Sequence, residues 1–337
     1  MKKHTVYYVL AALALIIIMT IAGWRYYIKS IEKNELGELS SKREYERHYV
    51  MIPDDTDSEL WQDIYRSARE TGEEQNAYVE LLGNWAVDDY DPLSYINIAI
   101  AAQVDGIILK PDGTAKMREA INAAQEAEIP VITVLDDDTA SARKSFVGIN
   151  SYQMGTTYGR QILACVNDST KKITVLLNYG DSGKDLIFKE LKATVQEGLP
   201  KEQQDQIDIQ PLTIHSSSTF DTEEAIRDLI NDEETRPDIL VCMNETDSVR
   251  AYHAMVDYNQ VGSIDIIGYY QSETILDAIE KGTVPMAVTL DTQQIGQRSI
   301  EALEEYHSMG YVSNYFSVDL SIITAQNVSQ FRGEENE

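Results

Sequence analysis

Val104 to Asp138 reads VDGIILKPDGTAKMREAINAAQEAEIPVITVLDDD. VDGIILKP and IPVITVL within it are unbroken apolar runs that each end in polar residues, and Ala115 to Ala127 between them reads as a helix. A strand whose apolar residues run continuously, without alternation, is buried on both faces, as in a parallel sheet covered by helices. The stretch is therefore a strand-helix-strand unit with a charged end to its second strand.

Working outward, the same alternation fills most of the chain. Upstream, HYVMIP is a strand, and DSELWQDIYRSARETG places Leu60, Trp61, Ile64, Tyr65 and Ala68 at helical spacing, with Gly72 where a C-terminal cap belongs. AYVELL is the next strand, and Asp91-Pro92 opens the helix PLSYINIAIAAQ with a cap followed by proline at the first helical position. SFVGIN, Ser145 to Asn150, is a fifth strand. Downstream come a helix over Tyr152 to Val166, strand ITVLLN, a helix over Lys184 to Glu197, strand DIQPL and helix DTEEAIRDLI. Strand DILVCMN, helix DSVRAYHAMVDY, strand IDIIGY, helix SETILDAIEKG, strand VPMAVTL, a helix over Gln293 to Met309 and strand VDLSIITA complete the series. An α/β protein of two lobes with parallel sheets follows.

The chain has 337 residues, more than one core usually serves. Its 56 acidic against 28 basic residues give a net charge of -28, which excludes a sequence-independent grip on nucleic acid unless there is a local basic patch, and none is present. Anionic lipid would also repel this surface, so membrane association needs an apolar anchor. Such a run exists. Val6 to Trp24, VYYVLAALALIIIMTIAGW, is uncharged and close to the ~20 residues that cross a bilayer. Its length, its poor cleavage exit at Thr20-Ile21-Ala22 and the aromatic Trp24, Tyr26 and Tyr27 favour an uncleaved transmembrane anchor over a signal peptide, with the folded part outside the cytoplasm. Lys29 to Arg47 reads as a polar stalk.

Two cysteines, Cys165 and Cys242, read as packed thiols, and the five histidines are scattered without metal-ligand spacing, so neither metal nor cofactor is expected. No G-x-G-x-x-G follows the first strand, which argues against a nucleotide-dependent enzyme. GDSGKD, Gly180 to Asp185, departs from the P-loop at both ends and lies on the wrong fold for a protease nucleophile.

In open α/β sheets, ligands bind at the carboxyl ends of the strands. The residues there include Asp54, Asp55, Lys110, Asp112, Asp136, Asp137, Asp138, Asn244, Glu245, Tyr269, Tyr270, Gln271 and Asp291. Asp136 to Asp138 could be a cation site, a catalytic carboxylate cluster or the polar lip of a cleft. No D-x-D-x-D-G pattern supports calcium, and a rim of carboxylates and amides suits a hydroxyl-rich ligand. Asp136 and Asp137 are therefore candidate ligand contacts, with Arg143 as a partner for them or for an anionic ligand.

The order VDGIILKP, AEIPVITV, SFVGINSYQMGTTYGRQI, DILVCMNETDSVRAYHAM, IDIIGYYQSETILDAIEKG, VTLDTQQIG and VDLSIITAQNV resembles the periplasmic sugar-binding proteins of the ribose and galactose type, over about His48 to Val328. The resemblance implies a type I fold of two Rossmann-like lobes that close on a sugar without chemistry, with crossovers near Asn150, Asp291 and Val318. It implies lobe 1 as 48–150 plus 291–317 and lobe 2 as 151–290 plus 318–330, after an anchor at 1–28 and a stalk at 29–47, and before an acidic tail at 331–337. It implies ligand roles for Trp61 and Phe220 as ring-stacking aromatics, and for Lys110 and Asn244 as polar contacts. Tyr270 falls where the family's GFD motif has its Asp, and Asp291 falls beside Leu290, where the family has a Gln. The expected partners are a sugar and either an ABC permease or a membrane sensor histidine kinase. The alternative is the effector-binding core of a lactose-repressor-like regulator, which would need a helix-turn-helix where this chain has its apolar run.

Overall fold

The computed structural model describes residues 45–56, 58–83, 92–178, 183–214 and 219–332. The expected anchor, most of the stalk, the Asp91 cap, Gly180 to Ser182 and the acidic tail beyond Arg332 lie outside them. No helix among the described residues is long and apolar enough to cross a membrane.

The strands are β1 (Arg47–Ile52), β2 (Ala77–Leu81), β3 (Gly106–Leu109), β4 (Val131–Val134), β5 (Ser145–Gly148), β6 (Lys172–Asn178), β7 (Asp208–Ile214), β8 (Ile239–Val241), β9 (Asp265–Tyr269), β10 (Met286–Leu290), β11 (Tyr315–Ser317) and β12 (Leu320–Thr324). The helices are α1 (Glu59–Glu74), α2 (Pro92–Ala102), α3 (Ala115–Glu126), α4 (Ser151–Cys165), α5 (Lys184–Gly198), α6 (Lys201–Gln204), α7 (Thr219–Asn231), α8 (Glu245–Asp257), α9 (Glu273–Glu280) and α10 (Thr292–Met309).

They form two six-stranded sheets, ordered β11-β5-β4-β3-β1-β2 and β12-β10-β9-β8-β6-β7. Every pairing is parallel except that of β12 with β10. The continuous apolar runs are the cause: β3, β4, β5 and β10 are buried at every residue, so each strand needs helices on both faces. Full burial of one Val, Leu or Ile contributes roughly 1.5–3 kcal/mol, and such residues dominate both sheets.

The chain passes between sheets after β5, after β10 and after β11. Helix α10 packs on α1, β4 and β5, and α4 packs on α5, β8 and β9, so the first two passages lie close to Asn150 and Asp291. Asn150 and Asp291 are the caps of these helices, each carboxamide or carboxylate oxygen accepting from the N–H three residues on, at 2.9 Å.

Gly72 departs from expectation. Helix α1 runs past it to Glu74, and the left-handed residue after the helix is Asn76, with φ +59°. Gly72 is buried against β2, where a Cβ would stand 2.6 Å from Val79 Cγ2 and 3.0 Å from the Ala77 carbonyl. It permits close approach of helix and strand and is not a cap. Two elements carry no signal in the apolar pattern: the one-turn α6, and β11, a half-exposed edge strand that exists through its pairing with β5.

A candidate ligand cleft between the lobes

The carboxyl ends of the two sheets face each other. On lobe 1 the centre of the site is Asp54, one residue beyond the buried Pro53 that follows β1. The Lys110 Nζ donates to its Oδ2 at 2.9 Å, and the Trp61 indole Nε1 donates to its Oδ1 at 2.5 Å. Burial opposes the charge of this carboxyl, but the Lys110 ammonium and the Lys110 and Trp61 hydrogen bonds outweigh it and hold its pKa below the ordinary 3.8. Trp61 is 1% exposed and packs in the lobe core through the body of its ring. Lys110 and Trp61 thus converge on one carboxylate whose side chain is still 44% open.

Beyond β4 the chain turns at Leu135, φ +65°, and its three aspartates separate in role. Asp136 Oδ1 accepts from the Asp137 N–H at 2.8 Å. Asp137 is held bidentately by Arg143, through Nε on Oδ1 and Nη2 on Oδ2, the latter at 2.6 Å. Arg143 also donates to the Asn314 carbonyl and side chain, at 3.1 and 2.7 Å. Asp138 is buried and takes the Arg118 Nε on both oxygens, at 3.1 and 2.8 Å. Arg143 thus binds Asp137 as a planar fork, whereas Arg118 shares one N–H between the two oxygens of Asp138.

On lobe 2, Asn244 caps α8: its Oδ1 accepts from the Asp247 N–H at 2.7 Å and its Nδ2 donates to Asp247 Oδ2 at 2.5 Å. Tyr270 follows β9 with φ +71° and is 1% exposed. Its phenol donates to Asp63 Oδ2 on α1 of the opposite lobe. Burial and the Asp63 carboxylate raise the pKa of this phenol and keep it neutral. Asp291 sits at a passage between lobes, its N–H donating to the Asp319 carbonyl at 3.0 Å. Phe220 lies in α7, and its side chain is outside the described residues.

Several residues outside the expected set join the lobes. Glu245 of α8 accepts from Ser58 Oγ at 2.5 Å and from the N–H groups of Glu59 and Leu60 at 3.2 and 3.3 Å. Glu59 accepts in turn from the Glu273 N–H of α9 at 3.3 Å. Position after a strand marked Glu245 as a rim residue, and Ser58 is legible as a helix cap, but nothing local pairs them. No group of three or more potential metal ligands occurs among the described residues.

A family model described as a periplasmic binding protein domain matches residues 49–308. Among solved structures, a glucose-galactose binding protein, GanP, from Geobacillus stearothermophilus is 19% identical with a TM-score of 0.72, covering 83% of this chain and 98% of that one. XylFII, from an XylFII–LytSN complex, is 20% identical at TM-score 0.69, with coverage of 83% and 98%. A solute-binding protein of an ABC transporter from Bacillus halodurans C-125, with bound myo-inositol, is 17% identical at TM-score 0.68, with coverage of 86% and 99%. At these identities the likeness is one of fold. No curated protein matches the chain.

Proposed function

Because the chain belongs to the periplasmic binding protein family, whose members bind solutes and carry out no reaction, we propose that it is an extracytoplasmic receptor that closes on a sugar or sugar-like ligand. The observation that carries this reading is the polar floor of the cleft: Asp54 is fixed by Lys110 and Trp61 yet 44% open, between lobes that already touch through Tyr270 and Glu245. A carboxylate held ionised below its ordinary pKa is a strong acceptor for vicinal hydroxyls, and Trp61, 1% exposed with its ring packed in the core, serves by fixing that carboxylate through its indole N–H and not by stacking on a sugar as the resemblance implied. Asp136, Asn244 and the backbone beyond β9 add acceptors and donors on either side. The neighbours point the same way in chemistry, since one was solved with myo-inositol and another is described as binding glucose and galactose.

We further propose that the apolar run Val6 to Trp24 tethers the protein to the membrane, with the folded lobes outside the cytoplasm. A tethered receptor reports occupancy to a membrane partner by presenting closed lobes. A sensor histidine kinase suits that role, and an ABC permease is the alternative recipient. A neighbour of the same fold forms a complex with another protein, LytSN, which supports docking of a partner on such lobes.

Isothermal calorimetry of the full chain against a panel of monosaccharides, polyols, amino acids and short peptides tests the ligand class. Heat with a sugar or polyol is expected. Binding to amino acids or peptides only would overturn it. Recovery in the carbonate-washed membrane fraction tests the tether, and release into the wash would remove it.

A further inference from the structure

We propose that the two lobes shut through a proton-linked latch, formed where α1 of lobe 1 meets the N-terminal ends of α8 and α9 of lobe 2. The proposal rests on the reading of the lobes as a closing pair, and concerns what holds them shut in addition to any ligand.

The latch is reciprocal. Glu245 of lobe 2 sits on the N-terminal end of α1, accepting from Ser58 Oγ and from the Glu59 and Leu60 N–H groups. Glu59 of lobe 1 sits on the N-terminal end of α9, accepting from the Glu273 N–H. Each helix therefore has orphan donors satisfied, and its dipole complemented, by a carboxylate from the other lobe. Between these two contacts the Tyr270 phenol reaches Asp63 on α1. Tyr270 reaches it from a left-handed backbone, φ +71°, a conformation unfavourable for a bulky residue that persists where its surroundings require it. These bonds exist only while the lobes touch.

The same seam collects negative charge. Glu59 faces Asp63 on its own helix, Glu245 on α8 and Glu273 on α9, with Tyr270 neutral. Among the described residues these carboxylates meet the guanidinium of Arg66, which is 62% exposed and pairs with Asp63 Oδ1 at 2.7 Å. One turn along α8, Arg250 pairs with Asp247 at 3.7 Å. Burial raises the pKa of Glu59 and the Glu273 N–H lowers it. The charges of Glu245, Glu273 and Asp63 raise it again, and the balance lies above the ordinary 4.5.

The sign follows from linkage. Closure covers Glu59 and brings the charges of Glu245 and Glu273 from lobe 2 against it, both of which raise its pKa, so the closed state binds the proton more tightly than the open one. Closure is favoured as the pH falls toward 4.5, and that support is lost as the pH rises through the raised value. Acidification thus tightens the grip on an enclosed ligand, and neutral medium loosens it.

The test needs no ligand, so its failure and the failure of the sugar reading are distinguishable. Energy transfer between fluorophores at E126C on lobe 1 and D257C on lobe 2 of the full chain reads the closed-to-open ratio. The ratio is expected to rise between pH 7 and pH 4.5, by no more than about tenfold per pH unit, the limit for one proton. Glu59→Gln, which keeps an acceptor for the Glu273 N–H, is expected to raise the ratio at pH 7 and flatten the slope. Glu245→Ala lowers it at both pH values. A pH-independent ratio in the parent chain, or a full slope retained in Glu59→Gln, overturns the proposal.

Discussion

Arg143 is 5% exposed along its side chain and spends its guanidinium on Asp137 and Asn314, joining the bend after β4 to the loop before β11. Removing one partner of such a pair leaves the other charge uncompensated, at a cost of roughly 3–5 kcal/mol when both are buried. Asp137 is 19% exposed, which places Arg143→Met near the lower end, about 3 kcal/mol, measured by urea denaturation. Cys165 makes a second residue-level test: burial, with Asp265 nearby, pushes its thiol from 9.0 up to about 12. Alkylation of the native chain at pH 8 should run about a thousandfold slower than for an ordinary thiol, as three pKa units dictate. Rapid modification at parent-like stability would show the thiol to be open.

Much of the rim was legible at this scale, because the end of a buried strand is a local feature. Asp54, Lys110, Asn244 and Tyr270 all stand there. What a rim residue does with its polar atoms is not local. The sequence-based expectation singled out Asp136 and Asp137 as ligand contacts, yet Arg143 binds Asp137 as Arg118 binds Asp138, while Asp136 turns back on the Asp137 N–H.

Helix α10 is the element on which the hinge and the latch both depend. Its N-terminal end lies at a passage between lobes, where Gln294 donates to Asp319 Oδ2 at 2.7 Å and accepts from the Asp319 N–H at 3.1 Å. Its C-terminal end lies where the described chain begins. There Glu304 accepts from Arg47 at 2.5 Å and from the Tyr49 hydroxyl at 2.7 Å, and His307 meets the Asp105 carbonyl at 2.7 Å. Between the ends it backs α1, the helix that carries Ser58, Glu59 and Asp63, through Gly296. A Cβ there would stand 2.5 Å from the Ile64 carbonyl and 2.6 Å from the Ala68 N–H, both backbone atoms. Gly296→Ala must therefore push α1 off α10, at roughly 1–3 kcal/mol of stability by thermal denaturation. Because α1 carries the lobe contacts, ligand affinity should fall as well. A variant with parent stability and affinity would show that the helices can part without cost.

At the scale of the whole molecule, a ligand enclosed between lobes binds the folded chain and not the unfolded one. At a hundredfold excess over Kd it should add about 2.7 kcal/mol of stability, a rise in Tm that scales with the logarithm of ligand concentration. A Tm unmoved by a ligand that calorimetry detects would place binding outside the folded lobes.

The alternation of buried strands and amphipathic helices, the parallel sheets and the polar rim were determined by the sequence alone. Each depends on spacing within about twenty residues, where steric and hydrogen-bonding rules are local. The family resemblance drew on the order of those segments. Only the tertiary structure decided that β11 joins the edge of the first sheet, that Gly72 admits a strand and does not cap a helix, and which arginine claims which aspartate. It also decided that Glu245 seats on Ser58, a residue 187 positions away. The physical reason is common to all four: a half-exposed strand, a close approach or an ion pair has no period of its own, and comes into being only when distant segments have packed.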